Sequence, residues 1–156
     1  GVRWDVFTYE YAFEYLKLNK PRILYIGFDE TDGFAHDTKY DKYLYGINRL
    51  DRYIEDLWTW IQSNEKYKNK TTMIITTDHG RGKYKNNKWG SHGSSIPNSK
   101  YTWAGIIGPD TPPKGEIIQS NTIYMNQVAA TITHLLGYDY STNEEAGTVI
   151  YNMIAN

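Results

Sequence analysis

Residues 22–36 read RILYIGFDETDGFAH, a short run of apolar β-formers that passes directly into acids and ends on a histidine. Such a run reads as a buried strand whose C-terminal end delivers polar groups. The arrangement returns at residues 71–80, TTMIITTDHG, where a second apolar run stops at Asp78 and His79. Between them, Leu44, Ile47, Leu50, Ile54, Leu57, Trp58 and Ile61 recur at spacings of three and four, with Arg49, Asp51, Arg52, Glu55 and Asp56 elsewhere. This is the pattern of an amphipathic helix over residues 41–62. Strand, helix, strand predicts a right-handed crossover and hence parallel pairing.

Outward from this unit, Val6, Tyr9, Phe13 and Leu16 fall at helical spacing in residues 5–19, and Pro21 ends the segment by removing an amide donor. A third strand is expected at residues 101–107, closed by Gly108 and Pro109, and Ile117 and Ile118 suggest a short further strand after the PPKG turn. Asn126 is placed to cap a helix in which Val128, Ile132, Leu135 and Leu136 face inward until Gly137. Residues 80–100 hold Gly80, Gly82, Gly90 and Gly93 among Lys, Asn and Ser, a long loop of the kind that carries function. Neither a repeat, a low-complexity tract nor a linker divides the chain, so residues 1–156 read as a single domain. The fold class is α/β: a mostly parallel sheet of at least three strands with flanking helices.

Composition narrows the function. With 156 residues, 40% of them hydrophobic and 22% charged, the chain suffices for one packed domain. A formal net charge of -1 gives no basic field for a nucleic-acid polymer or an anionic membrane, so phosphate recognition would have to be local. The apolar runs are too short to span a bilayer. Cysteine is absent, which excludes disulfides, thiolate metal sites and cysteine nucleophiles, and leaves His, Asp and Glu as metal ligands. The 15 tyrosines and 5 tryptophans read as core and sheet packing rather than as a carbohydrate-handling surface.

Three motifs carry chemistry. Asp32 and His36 form DxxxH, a spacing that lets a carboxylate and an imidazole meet one cation from a single turn; alone it reads more readily as a solvated loop. Asp78, His79 and Gly80 form DHG, where a strand end and a glycine-permitted turn redirect consecutive ligands; the plainer reading is a turn-capping Asp beside a surface histidine. Trp89 to Gly93, WGSHG, sets His92 between glycines that allow close backbone approach. Strand ends of one parallel sheet share an edge, where α/β proteins bind ligands, so the motifs are expected to converge.

The order strand, DxxxH, helix, strand, DHG, loop, HG resembles the alkaline phosphatase superfamily, most of all its nucleotide pyrophosphatase and phosphodiesterase branch, from about Arg22 to His92 and more loosely to Gly137. The resemblance implies the C-terminal half of a longer metallohydrolase catalytic domain with the superfamily's three-layer sandwich. It assigns Asp32, His36 and His92 to one divalent metal and Asp78 and His79 to another, zinc first and manganese as an alternative. Two such ions suit phosphoryl transfer by stabilising the attacking and leaving oxygens. The pattern also asks for an Asp and a Thr or Ser nucleophile before DxxxH. Asp5 follows no apolar strand and Thr8 lies inside a helical segment, so no catalytic residue is assigned in this chain, and the nucleophile is expected upstream.

The implied activity is hydrolysis of a phosphate ester by the full-length protein, this segment alone being inactive and its substrate-binding residues unknown. Sulfate ester hydrolysis and phosphoglycerate-mutase-type migration belong to the same superfamily and remain alternatives, as does a non-enzymatic module that keeps the fold. Relatives of this kind are often exported, which favours a periplasmic or extracellular setting, and an open sheet edge would favour self-association. Of the remaining charged residues, Arg81 and Lys83 read as a solvated loop rather than phosphate ligands. Glu30 reads equally as an acceptor for a ligating histidine or a surface charge, and His134 as a surface or packing residue.

Overall fold

The computed structural model describes residues 3–84, 88–118, 122–140, 142 and 145–155. They form two compact units, Gly1–Glu65 with His79–Thr102, and Lys66–Asp78 with Trp103–Asn156.

In the first unit, helix α1 (Asp5–Asn19) ends on Lys20 in the left-handed region, just ahead of Pro21. Helix α3 (Tyr40–Ser63) is the amphipathic helix of the sequence, and Leu57 and Ile61 of its stripe are buried. The two helices meet through aromatic rings: Tyr9 stacks on Tyr53 at 3.9 Å, and Phe13 meets Trp60 edge-on at 5.9 Å. Offset-stacked and edge-to-face pairs of this kind add to the burial of Tyr9 and Leu16, which fixes α1 against α3. The short helix α2 (Glu30–His36) lies against α3 where Gly46 is buried, Thr31 and Phe34 packing over it. Strands β2 (Gly82–Tyr84) and β3 (Lys88–Ser91) form an antiparallel hairpin, with Gly82 opposite Ser91.

The second unit holds strands β1 (Met73–Thr76) and β4 (Ala104–Ile107), antiparallel with Met73 opposite Ile107 and Thr76 opposite Ala104. Helix α4 (Gln127–Leu135) buries Ala130 and Thr131, and the Thr131 hydroxyl accepts the backbone amide of Ile150 at 3.0 Å. A 3-10 turn at Tyr151–Met153 follows, and Ile150 and Ile154 complete the buried set.

The mixed helix-and-strand class holds, but the mostly parallel sheet does not. Both described sheets are two-stranded and antiparallel. Residues 23–28 form no strand, and Ile23 and Tyr25 are 56% and 90% exposed. Hydropathy signals a tendency to be buried, whereas pairing direction is set by the strand alongside, so an apolar run cannot announce whether its ladder is parallel. The crossover expected from residues 22–28 is therefore not formed. The brief strand expected at Ile117 and Ile118 is also absent, Ile118 being 90% exposed. The long loop of residues 80–100 instead contains the β2–β3 hairpin. Asn126 precedes α4 as expected but makes no side-chain cap. Among the described residues no helix is long and apolar enough to cross a membrane.

Candidate metal centre

Helix α2 is short because its sequence, ETDGFAH, carries a glycine in its middle and is closed by the Asp37–Thr38 turn. One turn suffices to put Asp32 and His36 on the same face, and Nε2 of His36 stands 3.3 Å from Oδ2 of Asp32. The opposite face, Glu30 and Phe34, turns toward the α1 and α3 side. Glu30 is buried, takes the amide of Asp5 at 2.7 Å and pairs with Arg49, so of its two readings neither a surface charge nor an acceptor for a ligating histidine applies. Its work is to anchor the start of the helix that carries Asp32.

His79 arrives on the turn after the DHG aspartate. Its Nδ1 lies 3.0 Å from the carbonyl of Gly80, which can only accept, so Nδ1 is the donor, the tautomer whose neutral ring leaves Nε2 to meet a metal. Gly80 itself donates to the Ser99 carbonyl at 2.7 Å, and a Cβ there would fall 2.2 Å from the Tyr101 carbonyl oxygen. The glycine of DHG is thus required by backbone contact. Gly90, before His92, has the same reason: a Cβ would lie 1.9 Å from the Ala35 carbonyl oxygen, so only glycine lets β3 close on the end of α2.

That closure delivers His92. Its Nε2 is 2.9 Å from Nε2 of His36 and 3.5 Å from Oδ1 of Asp32, and its ring stacks on His79 at 3.7 Å. Nε2 of His79 is 3.7 Å from the same Asp32 oxygen. Asp32, His79 and His92 each offer an atom such that all lie within 4.8 Å of one another, and His36 joins from the exposed side. Of the five residues expected to ligate, four therefore meet. The resemblance divides them between two ions, whereas the structure gathers Asp32, His36, His79 and His92 about one centre. Asp78 is exposed and belongs to the second unit.

The donor set can be tested against a metal. A tetrahedral site with bonds of about 2.0–2.1 Å has ligand-to-ligand edges of roughly 3.3 Å. The edges of 3.5 and 3.7 Å from Oδ1 of Asp32 to His92 and His79, and of 3.3 Å from its Oδ2 to His36, lie at or a little above that length, a spacing that one divalent ion could draw together.

The sequence pattern sets Arg81 down as solvated loop ahead of a phosphate-binding role. Its side chain is 16% exposed, its Nη2 pairs with Oδ1 of Asp32, and its Nη1 donates to the Gly90 carbonyl at 3.0 Å. It is not a solvated loop residue. The side chain of Lys83, considered beside it, lies outside the described residues. Burial pushes the Asp32 carboxyl up, but the hydrogen bond and charge of Arg81, with His36 and His92 adding, hold it below the usual value. Burial and the neighbouring His79 push the His92 imidazole below 6.5, against the pull of Asp32, which keeps it in the neutral form that binds metals. His134 is exposed and edge-on to Tyr151.

A cavity of about 500 Å³ opens beside His79 and His92, walled by Ser94, Ser95, Ile96, Asn98 and Lys100. The loop that forms it is held by the Ser99 hydroxyl, which donates to the Gly93 or Ile96 carbonyl at 2.7 and 2.9 Å.

Residues 3–149 match the family model of type I phosphodiesterase / nucleotide pyrophosphatase. The chain belongs to that family. Type I phosphodiesterases of this kind are members of the alkaline phosphatase superfamily, so the resemblance carried by DxxxH, DHG and HG is correct. Among curated proteins, the chain is 26% identical over 151 residues to GPI ethanolamine phosphate transferase 1 of Aspergillus oryzae, covering 81% of this chain and 14% of that protein. It is 31% identical over 102 residues to the human GPI ethanolamine phosphate transferase 1, covering 60% of this chain and 10% of that one. The chain thus spans a small part of the length of these relatives. No solved structure gives a significant match. The phosphodiesterase family is typically metal-dependent, and the triad of Asp32, His79 and His92 is where this member could hold an ion.

Proposed function

We propose that Asp32, His36, His79 and His92 bind a divalent cation, zinc first and manganese second, in the service of phosphoester transfer by the protein that contains this chain. The observation that supports the reading is the approach of three imidazoles, one on α2 and two on the turns flanking the hairpin, to within 3.3–3.7 Å of the two oxygens of Asp32. When bound, such an ion supplies charge stabilisation for phosphoryl oxygens. The chain's own part is to hold His79 by its Nδ1 proton and to present Nε2 toward the centre. The cavity beside His79 and His92 offers hydroxyls and an ammonium to the rest of the ester. Transfer to an alcohol is preferred over hydrolysis because the relatives named above are ethanolamine phosphate transferases, and hydrolysis is the second reading, favoured by the family's own description.

The test separates metal from substrate. Calorimetric titration of the chain with zinc and manganese is expected to show about one equivalent bound, lost in His79→Ala and in Asp32→Asn. Phosphorus resonance of phosphoethanolamine should then broaden with manganese-loaded chain and stay sharp with the His79→Ala variant. Absence of stoichiometric metal overturns the metal site. Uptake of metal with no broadening overturns the phosphoester reading alone.

A further inference from the structure

Resting on the metal reading above, we infer that Arg81 is an oxyanion-binding residue: its guanidinium receives the phosphate of a ligand once a cation takes Asp32. In the structure Arg81 is held by two acceptors, the Asp32 carboxylate and the Gly90 carbonyl. The carboxylate is also the centre of the histidine cluster, with His92 at 3.5 Å and His79 at 3.7 Å from the same oxygen. A cation at that centre takes up the charge of Asp32 and leaves Arg81, a group that does not deprotonate, with one neutral partner.

The charges decide what completes it. One carboxylate against one guanidinium sums to zero. A divalent ion leaves two positive charges in a partly buried place, which matches a phosphate ester and disfavours a neutral ligand. Without Arg81 only one would remain. A guanidinium also offers a planar fork to two phosphate oxygens, a geometry that a lysine cannot reproduce. The Gly90 hydrogen bond tethers the head, so it stays beside the centre when Asp32 turns to the ion.

The arrangement gives opposite predictions for two ligands. Removing a positive charge beside a cation relieves repulsion, so Arg81→Ala should bind zinc as tightly as the unaltered chain or a few-fold tighter. Inorganic phosphate, titrated calorimetrically into zinc-loaded protein, should bind at least about tenfold more weakly to Arg81→Ala, as expected for a lost charge-assisted hydrogen bond. Arg81→Lys, which keeps charge but not the fork, should recover part of that loss. If zinc binds and both variants hold phosphate within threefold of the unaltered chain, the role assigned to Arg81 is wrong. Should Arg81→Ala fail to fold by circular dichroism, the Arg81→Lys titration decides by the same threefold limit. Failure of the unaltered chain to take up zinc removes the metal reading and this inference together.

Discussion

Asp5 and Glu30 cap each other's helices: the amide of Asp5 donates to Oε2 of Glu30 at 2.7 Å, and the amide of Glu30 donates to Oδ1 of Asp5 at 3.3 Å. Each is the first residue of its helix, so two helix starts satisfy one another's free amides with carboxylates. Asp5 also accepts from Asp29 at 2.8 Å, and Arg49 offsets the paired negative charge. This places the start of α2, and with it Asp32.

Removing the Asp5 carboxylate strands two amides, one of them fully buried. Asp5→Ala is expected to cost about 1–3 kcal/mol in urea unfolding, and Asp5→Asn, which keeps an acceptor oxygen, less than half as much. Equal losses in the two variants would show that the capping bonds are not what holds α2.

Acid–base behaviour at the same residue gives a signed test. Burial raises the Asp5 carboxyl above 3.8, against the amides of Asp29 and Glu30 that lower it. The folded chain then binds a proton more tightly than the unfolded one, and stability falls as pH rises from 3.8 through the raised value, levelling above it. The unfolding free energy of the unaltered chain minus that of Asp5→Asn should therefore decline over this window. A difference that climbs with pH would mean that the capping amides outweigh burial.

How far the sequence could be read follows from which interactions are local. Helices α1 and α3 were legible because period and breakers such as Pro21 act within a few residues. So was the grouping of Asp32, His36, His79 and His92, since the DxxxH, DHG and HG spacings lie within a few residues. The direction of the sheets was not, because residues 22–28 carry a burial pattern that is silent about partners. Arg81 reads as a solvated lysine-and-asparagine loop until its partner, 49 positions away, is known. Glu30 was ambiguous for the same reason, its partner Asp5 lying 25 positions away.

Tyr9 offers a second pH window. Burial first, then the charge and hydrogen bond of Asp56 at 3.3 Å, push its phenol up to about 12. The folded chain keeps this proton while the unfolded chain loses it near 10, so stability present below pH 10 is lost as pH rises toward 12. Tyr9→Phe, which cannot ionise, should lose less stability over that interval. Parallel melting of the two proteins at pH 9 and pH 11 checks this, and identical losses would remove Tyr9 from the explanation.

Gly90 links fold to site. Its substitution by alanine drives a methyl against the Ala35 carbonyl, with atoms at 1.9 and 2.6 Å that belong to backbone and cannot swing aside. Gly90→Ala is expected to destabilise the chain by about 1–3 kcal/mol and, by lifting β3 from α2, to weaken zinc binding at least tenfold. Zinc titration separates this from plain destabilisation: a variant that unfolds earlier yet binds zinc normally would show that His92 reaches the cluster without that contact.

Metal uptake should appear in stability as well as in binding. An ion that joins residues from α2 and from the chain around the hairpin binds the folded state and has no preformed site in the unfolded one. At a free zinc concentration of about 100 times Kd, the chain should gain about 2.7 kcal/mol, seen as a higher melting temperature that a chelator reverses. His134→Ala should keep the whole gain, because that ring lies against Tyr151 and outside the cluster. His79→Ala and His92→Ala should lose most of it, since each removes a nitrogen from the compact triad, while His36→Ala, on the exposed side, should lose less. A variant with both His79→Ala and His92→Ala distinguishes a single four-ligand centre from two separate ions: were His79 to serve a different ion from His92, it would lose the sum of the single effects, whereas one shared centre makes the second substitution nearly silent.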